Sequence, residues 1–97
     1  MKKGIDVKTV KVSNLQVLEI EERKNNEQFT TLIINRYNDL FIGAENGTIT
    51  KYDKDLKFKK AAKAADNVLL GVANYEFIMF GLLNGRVEFY DFDLNLI

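Results

Sequence analysis

Residues 40–53 (LFIGAENGTITKYD) and residues 78–91 (IMFGLLNGRVEFYD) follow one pattern, thirty-eight positions apart. The shared residues lie in a single register that extends to both sides of these stretches. The matching pairs are Leu32/Leu70, Tyr37/Tyr75, Gly43/Gly81, Asn46/Asn84, Gly47/Gly85, Tyr52/Tyr90, Asp53/Asp91 and Leu56/Leu94. Self-similarity at a fixed period of this length is typical of proteins built from stacked repeats. The sequence therefore predicts a modular chain in which one unit is used more than once.

Each unit divides into four short strands separated by turn residues. The first unit predicts strands at 29–34, 40–44, 48–52 and 56–60, and the second predicts strands at 68–72, 77–82 and 87–90, with a fourth beginning at 94. The Asn-Gly pairs at 46–47 and 84–85 predict type I′ hairpin turns, because both residues tolerate the positive φ that this turn requires. The prediction is an all-β fold of antiparallel four-stranded sheets.

The N-terminal part of the chain supplies half a unit. Residues 9–14 and 16–21 alternate between apolar and polar side chains, as two further strands would. We therefore expect a single partial domain over 1–97, with a half unit at 9–21 and full units at 28–62 and 66–97. The charged segment 21–27 is expected to be a flexible loop between units.

One stretch leaves two interpretations open. Residues 57–65 (KFKKAAKAA) are rich in alanine and lysine, which are strong helix formers. The repeat register instead requires a strand from about Leu56, and tertiary context often overrides propensity in short segments.

The composition excludes several functional classes. The chain has 14 basic and 14 acidic residues, so its net charge gives no reason to expect nucleic acid or an anionic membrane as a partner. It contains no histidine and no cysteine, the usual neutral-pH base and thiolate nucleophile, so we expect no enzyme and no cofactor. No apolar run approaches the roughly 20 residues of a membrane helix. The absence of cysteine and of a secretory leader favours an intracellular setting, the cytoplasm.

A unit of about 40 residues with four strands, a hairpin glycine and an aromatic-Asp ending resembles a β-propeller blade of the WD-repeat kind. The resemblance rests on Gly43, Asn46-Gly47 and Tyr52-Asp53 and on the corresponding residues of the second unit, and it covers residues 9–97. The chain departs from that family because it has no Gly-His pair and no tryptophan, so tyrosine precedes the aspartate. Quinoprotein-type blades share a similar rhythm and remain an alternative.

The resemblance implies a non-catalytic scaffold or structural subunit that binds other proteins within a larger complex. It also implies an incomplete ring, because propellers usually close with four to eight blades. We expect another chain, or identical copies of this one, to complete the propeller. Without such a partner, apolar residues of the inner strands would be exposed to water: Phe41, Ile42, Ile78, Met79 and Phe80.

Two kinds of binding site can be read from the repeat. The alternating oxygens of Asp91, Asp93 and Asn95 suggest a calcium-binding module as the alternative function, although the glycine and distal acid of a calcium loop are missing. Aspartates that cap turns explain the same residues without an ion. For partner proteins, the expected contacts are the hairpin tips and the loops between units, in particular Glu45, Asn46, Leu83, Asn84, Arg23 and Lys24.

Three further groups receive structural interpretations. Glu19 and Glu21 are expected on a solvated strand face, and the lysines at 57, 59, 60 and 63 on a solvated edge, where charge discourages further strand pairing. The repeated tyrosines at 37, 52, 75 and 90 are expected to pack at equivalent core positions. An exposed copy would serve as an aromatic anchor for a partner.

Overall fold

The structure is a computed structural model that describes residues 7–11, 17–21 and 28–97. All elements in these residues are β-strands, in three antiparallel sheets. The all-β prediction is confirmed. The loop predicted at 21–27 lies outside the described residues except for Glu21, which ends a strand, so Arg23 and Lys24 are not described. The side chains of Glu19 and Glu21 also lie outside the described part of the chain.

The strands follow the repeat. A two-stranded sheet holds β1 (Val7–Lys11) and β2 (Val17–Glu21). A four-stranded sheet holds β3 (Phe29–Ile34), β4 (Leu40–Ala44), β5 (Thr48–Tyr52) and β6 (Phe58–Lys63), in that order. A three-stranded sheet holds β7 (Val68–Ala73), β8 (Ile78–Leu82) and β9 (Val87–Tyr90).

The segment at 57–65 forms a strand, so its helix propensity is overridden. Residues 58–63 form β6, which pairs along the whole of β5 from Thr48↔Lys63 to Tyr52↔Phe58. In the second unit the corresponding pairing only begins, with an isolated bridge between Tyr90 and Leu96. The backbone groups of β5 need partners at this edge, and this need outweighs the preferences of alanine and lysine.

The hairpin turns at the Asn-Gly pairs are not of type I′. Gly47 and Gly85 have φ of 94° and 88°, whereas Asn46 and Asn84 are not in the positive-φ region. Gly47 N–H donates to Ala44 C=O at 2.9 Å, which closes a turn over Glu45 and Asn46 before the glycine. This is the three-residue hairpin, in which a left-handed residue follows a type I turn. Each asparagine has a different role: its side-chain oxygen accepts the N–H two residues later, at 3.0 Å for Thr48 and 2.9 Å for Arg86.

The opposite ends of the strands are closed by polar side chains. Asp53 Oδ1 accepts the N–H groups of Asp55 and Lys57 at 2.9 and 3.0 Å, and Asn35 and Asp91 do the same in their own turns. The third residue after each of these is left-handed: Asn38, Leu56 and Leu94. For leucine this conformation costs about 1–2 kcal/mol, which side-chain packing must offset. Leu94 is buried in the main core, and Leu56 packs against Leu40 and Ile42.

The two units are not in one register throughout. The turn Asn35–Asp39 spans five residues, whereas its counterpart Asn74–Phe77 spans four. The first strands are therefore offset by thirty-nine positions and the later strands by thirty-eight. Thr31 pairs with Gly43 as Leu70 pairs with Gly81, so Leu70 is equivalent to Thr31 and not to Leu32. The Leu32/Leu70 match in the sequence is coincidental, and the difference of one residue decides which face of β7 is apolar.

The main core lies between two stacked sheets. One face of β3–β6, the covered face, carries Ile33, Phe41 and Ile49. It packs against the docking face of β7–β9, which carries Val68, Ile78, Phe80 and Leu82. Residues on the opposite side of β3–β6 include Leu40 and Ile42, which form a second cluster with Phe29, Tyr52 and Leu56. The sheet β3–β6 therefore has apolar side chains on both of its faces, and one of these faces packs against β7–β9.

Glycine allows the sheets to approach closely. A Cβ on Gly43 would lie 2.8 Å from Val68 Cγ1, and a Cβ on Gly71 would lie 2.6 Å from Ile33 Cδ1. Neither residue has the positive φ that would require glycine. Side chains of the same sheet add to the crowding, since the Cβ atoms would also lie 2.8 Å from Thr31 and Phe80, respectively.

Polar contacts fix the relative position of the sheets. Thr31 Oγ1 accepts the Gly71 N–H at 3.1 Å, and Lys51 Nζ lies 3.6 Å from Asp93 Oδ1. Arg36 Nε donates to Tyr75 C=O at 2.7 Å, and the guanidinium carbon lies 4.1 Å from the ring centroids of both Tyr37 and Tyr75. We call Arg36, Tyr37 and Tyr75 the arginine clamp.

Alanine at either hairpin glycine should destabilise the protein, and more strongly at position 47. Both sites have left-handed φ, which costs a residue with a Cβ about 1–2 kcal/mol. At Gly47 the new Cβ would also lie 3.0 Å from Asp66 C=O, whereas Gly85 has open space. Urea unfolding of Gly47→Ala, Gly85→Ala and the control Gly81→Ala, whose φ is not positive, gives the ranking. Equal stability of Gly85→Ala and wild type would disprove the turn geometry.

Arg36→Lys should lower the free energy of unfolding by about 1–2 kcal/mol. Lysine keeps the charge but lacks both the Nε–H that bonds Tyr75 and the planar group that stacks on the rings. Arg86→Lys is the matched control, because Arg86 is exposed and its replacement should change stability by less than about 0.5 kcal/mol. Equal effects of the two substitutions in chemical denaturation would mean that the clamp contributes nothing.

Candidate partner-binding surfaces

The carboxylates proposed for calcium already bind groups of the protein. Asp91 Oδ1 accepts the N–H groups of Asp93 and Asn95, both at 2.9 Å, and its Oδ2 accepts Asn95 Nδ2 at 3.2 Å. Asn95 Oδ1 in turn accepts Lys60 Nζ at 3.0 Å, and Asp93 faces Lys51. Among the described residues, no group of three or more acidic side chains is arranged to hold a metal ion. The geometry is that of a turn-capping aspartate, and it gives the calcium alternative no support.

The predicted hairpin tips lie at one end of the stacked sheets. The linker 64–67 joins them, because Ala64 N–H donates to Gly47 C=O at 2.8 Å and Leu83 N–H donates to Asn67 C=O at 2.9 Å. Glu45 and Leu83 are exposed, and 58% of the Leu83 surface is accessible. Asn46 and Asn84 are engaged through their side-chain oxygens in the turns. A partner could therefore use Glu45 and Leu83 without disturbing the fold.

The four tyrosines fall into two classes. Tyr90 is buried in the main core, and its OH donates to Glu88 Oε1 at 2.8 Å. Burial, together with this bond to a carboxylate, raises the pKa of the Tyr90 hydroxyl. Tyr52 is half-buried beside Leu40 and Ile42, so core packing is confirmed for this pair. For Tyr37 and Tyr75 the core prediction is wrong: both are exposed and flank Arg36.

The lysine-rich segment forms the edge of a sheet. β6 is the last strand of β3–β6, and the lysines at 57, 59, 60 and 63 are exposed there. Charge on an edge strand discourages pairing with another sheet, so the prediction of a solvated, lysine-protected edge is confirmed. The described residues also contain no helix that is long and apolar enough to cross a membrane.

The most distinctive exposed surface was not predicted. The outward side of β7–β9 carries five apolar residues, which we call the open face: Leu70, Val72, Met79, Val87 and Phe89. Leu70 is 59% exposed and Val87 55%. The sequence predicted exposure of Phe41, Ile42, Ile78, Met79 and Phe80, but four of these are buried and only Met79 is partly accessible. Phe41, Ile78 and Phe80 are buried between the two sheets, and Ile42 is buried in the second cluster. Separately, the one-residue change in register places Leu70 and Val72 on the outward side of β7.

The open face continues into an unpaired strand edge. Ile97 N–H donates to Phe89 C=O at 2.8 Å, so the backbone groups of Phe89 point away from β8. Residues two apart in a strand direct their backbone groups to the same side, so those of Val87 also point away from β8. In the first unit, Ile49 has the position of Val87 and pairs with Ala62 of β6. Within the described residues, the edge of β9 at 86–88 has no strand beside it. Open face and open edge therefore meet along β9.

The turn carboxylates should make stability depend on acid. The N–H bond from Lys57, above all, lowers the pKa of Asp53 below its ordinary 3.8, and the bond from Asn95 does the same for Asp91. Because the folded-state pKa is the lower one, this stabilisation is complete above about pH 3.8 and is lost as pH falls through the folded-state value. The test measures the thermal unfolding midpoint from pH 6 to pH 2. The double variant Asp53→Asn and Asp91→Asn should lose less of its midpoint over this range than the wild type does. Asp55→Asn, at an exposed carboxylate 3.9 Å from Lys54 Nζ, should leave this loss unchanged. An unchanged profile of the double variant would exclude this role.

Comparison of the chain with family models, curated proteins and solved structures gives no match. Of the described surfaces, the open face differs most from an ordinary protein surface, since contiguous exposed apolar patches mark interaction sites.

Proposed function

We propose that this chain is a non-catalytic structural scaffold that binds another protein through the open face of β7–β9. The observation that carries the proposal is the apolar character of this face. Leu70, Val72, Met79, Val87 and Phe89 are contiguous on three neighbouring strands, because Leu70 and Val87 flank Gly81, and Val72 and Phe89 flank Met79.

The corresponding face of the other sheet supports the proposal. On β3–β6 the equivalent positions are Thr31, Ile33, Phe41, Ile49 and Lys51, and this face is covered by β7–β9. The more polar of the two faces is therefore the buried one. A surface with more apolar side chains than its buried counterpart favours a role in binding over a role as a solvated exterior.

The chemistry of the chain agrees with a binding role. Among the described residues, the groups with shifted pKa are two turn carboxylates that hold backbone N–H groups and one buried tyrosine. Each shift has a structural cause in a turn or in the core. A membrane span and nucleic acid as a partner remain outside the proposal, as the charge balance and hydropathy predict.

Site-specific photocrosslinking in cells of the source organism tests the proposal. A photoreactive residue in place of Val72 should give one dominant crosslinked product of discrete mass, and Leu70→Lys should abolish it, because a charge on the face disfavours burial. The same residue in place of exposed Lys59 is the matched control and should give no such product.

Two results would contradict the proposed surface. A product from the position of Glu45 but not from Val72 would place the partner on the hairpin tips. Crosslinking from neither position, with the fold intact by circular dichroism, would remove the scaffold function itself.

A further inference from the structure

Building on the proposed function, we infer that the partner of the open face is an antiparallel β-sheet of this same repeat type. It would dock on the open face as β7–β9 docks on β3–β6. Its first contribution would be a strand along the open edge of β9. The inference names the kind of partner, whereas the proposed function names only the surface.

The first argument is the equivalence of the faces. Within the chain, the covered face of β3–β6 receives Val68, Ile78, Phe80 and Leu82 from the next unit. The open face is made by the equivalent positions one unit further on. A sheet with a similar apolar docking face therefore fits there in the same orientation.

The second argument is Gly81. A Cβ on its counterpart Gly43 would lie 2.8 Å from Val68 of the docked sheet, and also 2.8 Å from Thr31 of its own sheet. At Gly81 a Cβ would meet only Leu70, at 3.6 Å, an ordinary contact, and φ is not positive. Glycine in a strand interior is unfavourable and often marks a bulge or the close approach of another backbone. The bulge beside Gly81 lies in β7, between Val68 and Leu70, and not in the strand of Gly81 itself. Nothing in the described residues requires glycine at this position, whereas a docked side chain in the place of Val68 would.

The third argument is the edge of β9. In the first unit, β6 pairs with β5 from Thr48 to Tyr52 before the chain enters the next sheet. In the second unit only Leu96 and Ile97 lie in the corresponding place. A repeat unit that begins with this strand would satisfy the backbone groups of Val87 and then cover the open face.

A second copy of this chain is the less suitable occupant. Its β7–β9 docking face is already buried against its own β3–β6 sheet. The other face of that kind, on β3–β6, has Leu40 and Ile42 buried at 0% and 3% exposure, and its accessible apolar side chains are those of Leu32 and Ile34, at 41% and 38%. The partner must therefore bring a docking face that its own chain leaves free.

The differences between the two faces define the partner further. Leu70 takes the position of Thr31, which accepts the Gly71 N–H. Phe89 takes the position of Lys51, which forms an ion pair with Asp93. In the turn, Tyr75 takes the position of Arg36 of the arginine clamp. The new interface has none of these polar contacts. The partner should therefore be apolar at the position that Asp93 occupies in this chain.

The test extends the full chain by one unit of its own repeat. A second copy of residues 60–97, with Asp93→Leu in that copy to make this position apolar, is joined directly after Ile97. It continues the thirty-eight-residue period, so its first residues can pair with β9. We expect a monomer by light scattering, a thermal midpoint higher by about 5 °C or more, and slowed amide exchange at Val87. An appended unit that stays unfolded, with midpoint and Val87 exchange unchanged, would overturn the inference.

Single substitutions in the original unit provide the controls. Gly81→Ala should be neutral or raise the midpoint in the unextended chain but lower it in the extended chain, where the Cβ meets the docked sheet. Val72→Lys should remove the gain from extension, and Leu83→Lys, at the exposed hairpin tip, should preserve it. If Gly81→Ala has the same effect in both chains, the appended unit is not docked as inferred.

The two proposals can fail separately. Failure of the extension together with crosslinking at Val72 would mean that a partner of different structure uses the open face. Self-association of the unextended chain that is abolished by Val72→Lys would identify a second copy as the occupant and overturn the inference.

Discussion

The close packing of β7–β9 on β3–β6 is the contact on which the rest of the described structure depends. It buries Phe41, Ile49, Ile78 and Phe80 completely. The approach is close enough that Gly43 and Gly71 have no room for a Cβ. An isolated sheet of three or four strands would expose an apolar face to water. Stacking two such sheets buries one face of each against the other. Within the described residues, the same solution leaves the open face of β7–β9 uncovered.

The turns show how local polar groups support this packing. Asn35, Asp53 and Asp91 each hold two backbone N–H groups, and the third residue after each is left-handed. Two of these left-handed residues are leucines whose side chains enter the apolar clusters. The turn therefore positions an apolar side chain. Full burial of a leucine contributes about 1.5–3 kcal/mol, which offsets a backbone strain of about 1–2 kcal/mol at buried Leu94 and offsets less of it at half-buried Leu56.

Sequence reasoning predicted the strands well because each unit has strong period-two patterns and glycine turns. It predicted the positions of Gly47 and Gly85, the edge role of the lysines and the turn role of the aspartates. It could not predict the open face, because this depends on one residue fewer in the turn at Asn74. With one residue fewer in that turn, Leu70 lies at the position of Thr31 and not at that of Leu32. Each side chain of β7 therefore lies on the opposite face from the one that an offset of thirty-eight residues predicts. Aligning identical residues of the two units cannot reveal such a shift. Only the backbone pairing shows which residues of neighbouring strands lie opposite each other.

The energetics of the open face indicate what a partner must provide. Leu70, Val72, Val87 and Phe89 are each about half exposed, so covering them yields about 3–6 kcal/mol at 1.5–3 kcal/mol per fully buried side chain. Association of two proteins costs about 4–15 kcal/mol in lost translational and rotational freedom. The face alone would therefore give weak binding at best. A partner that also pairs with the edge of β9 gains backbone hydrogen bonds with the free groups of Val87. The open face and the open edge are therefore better understood as one binding surface than as two, and a β-sheet that begins with an added strand is the structure that uses both.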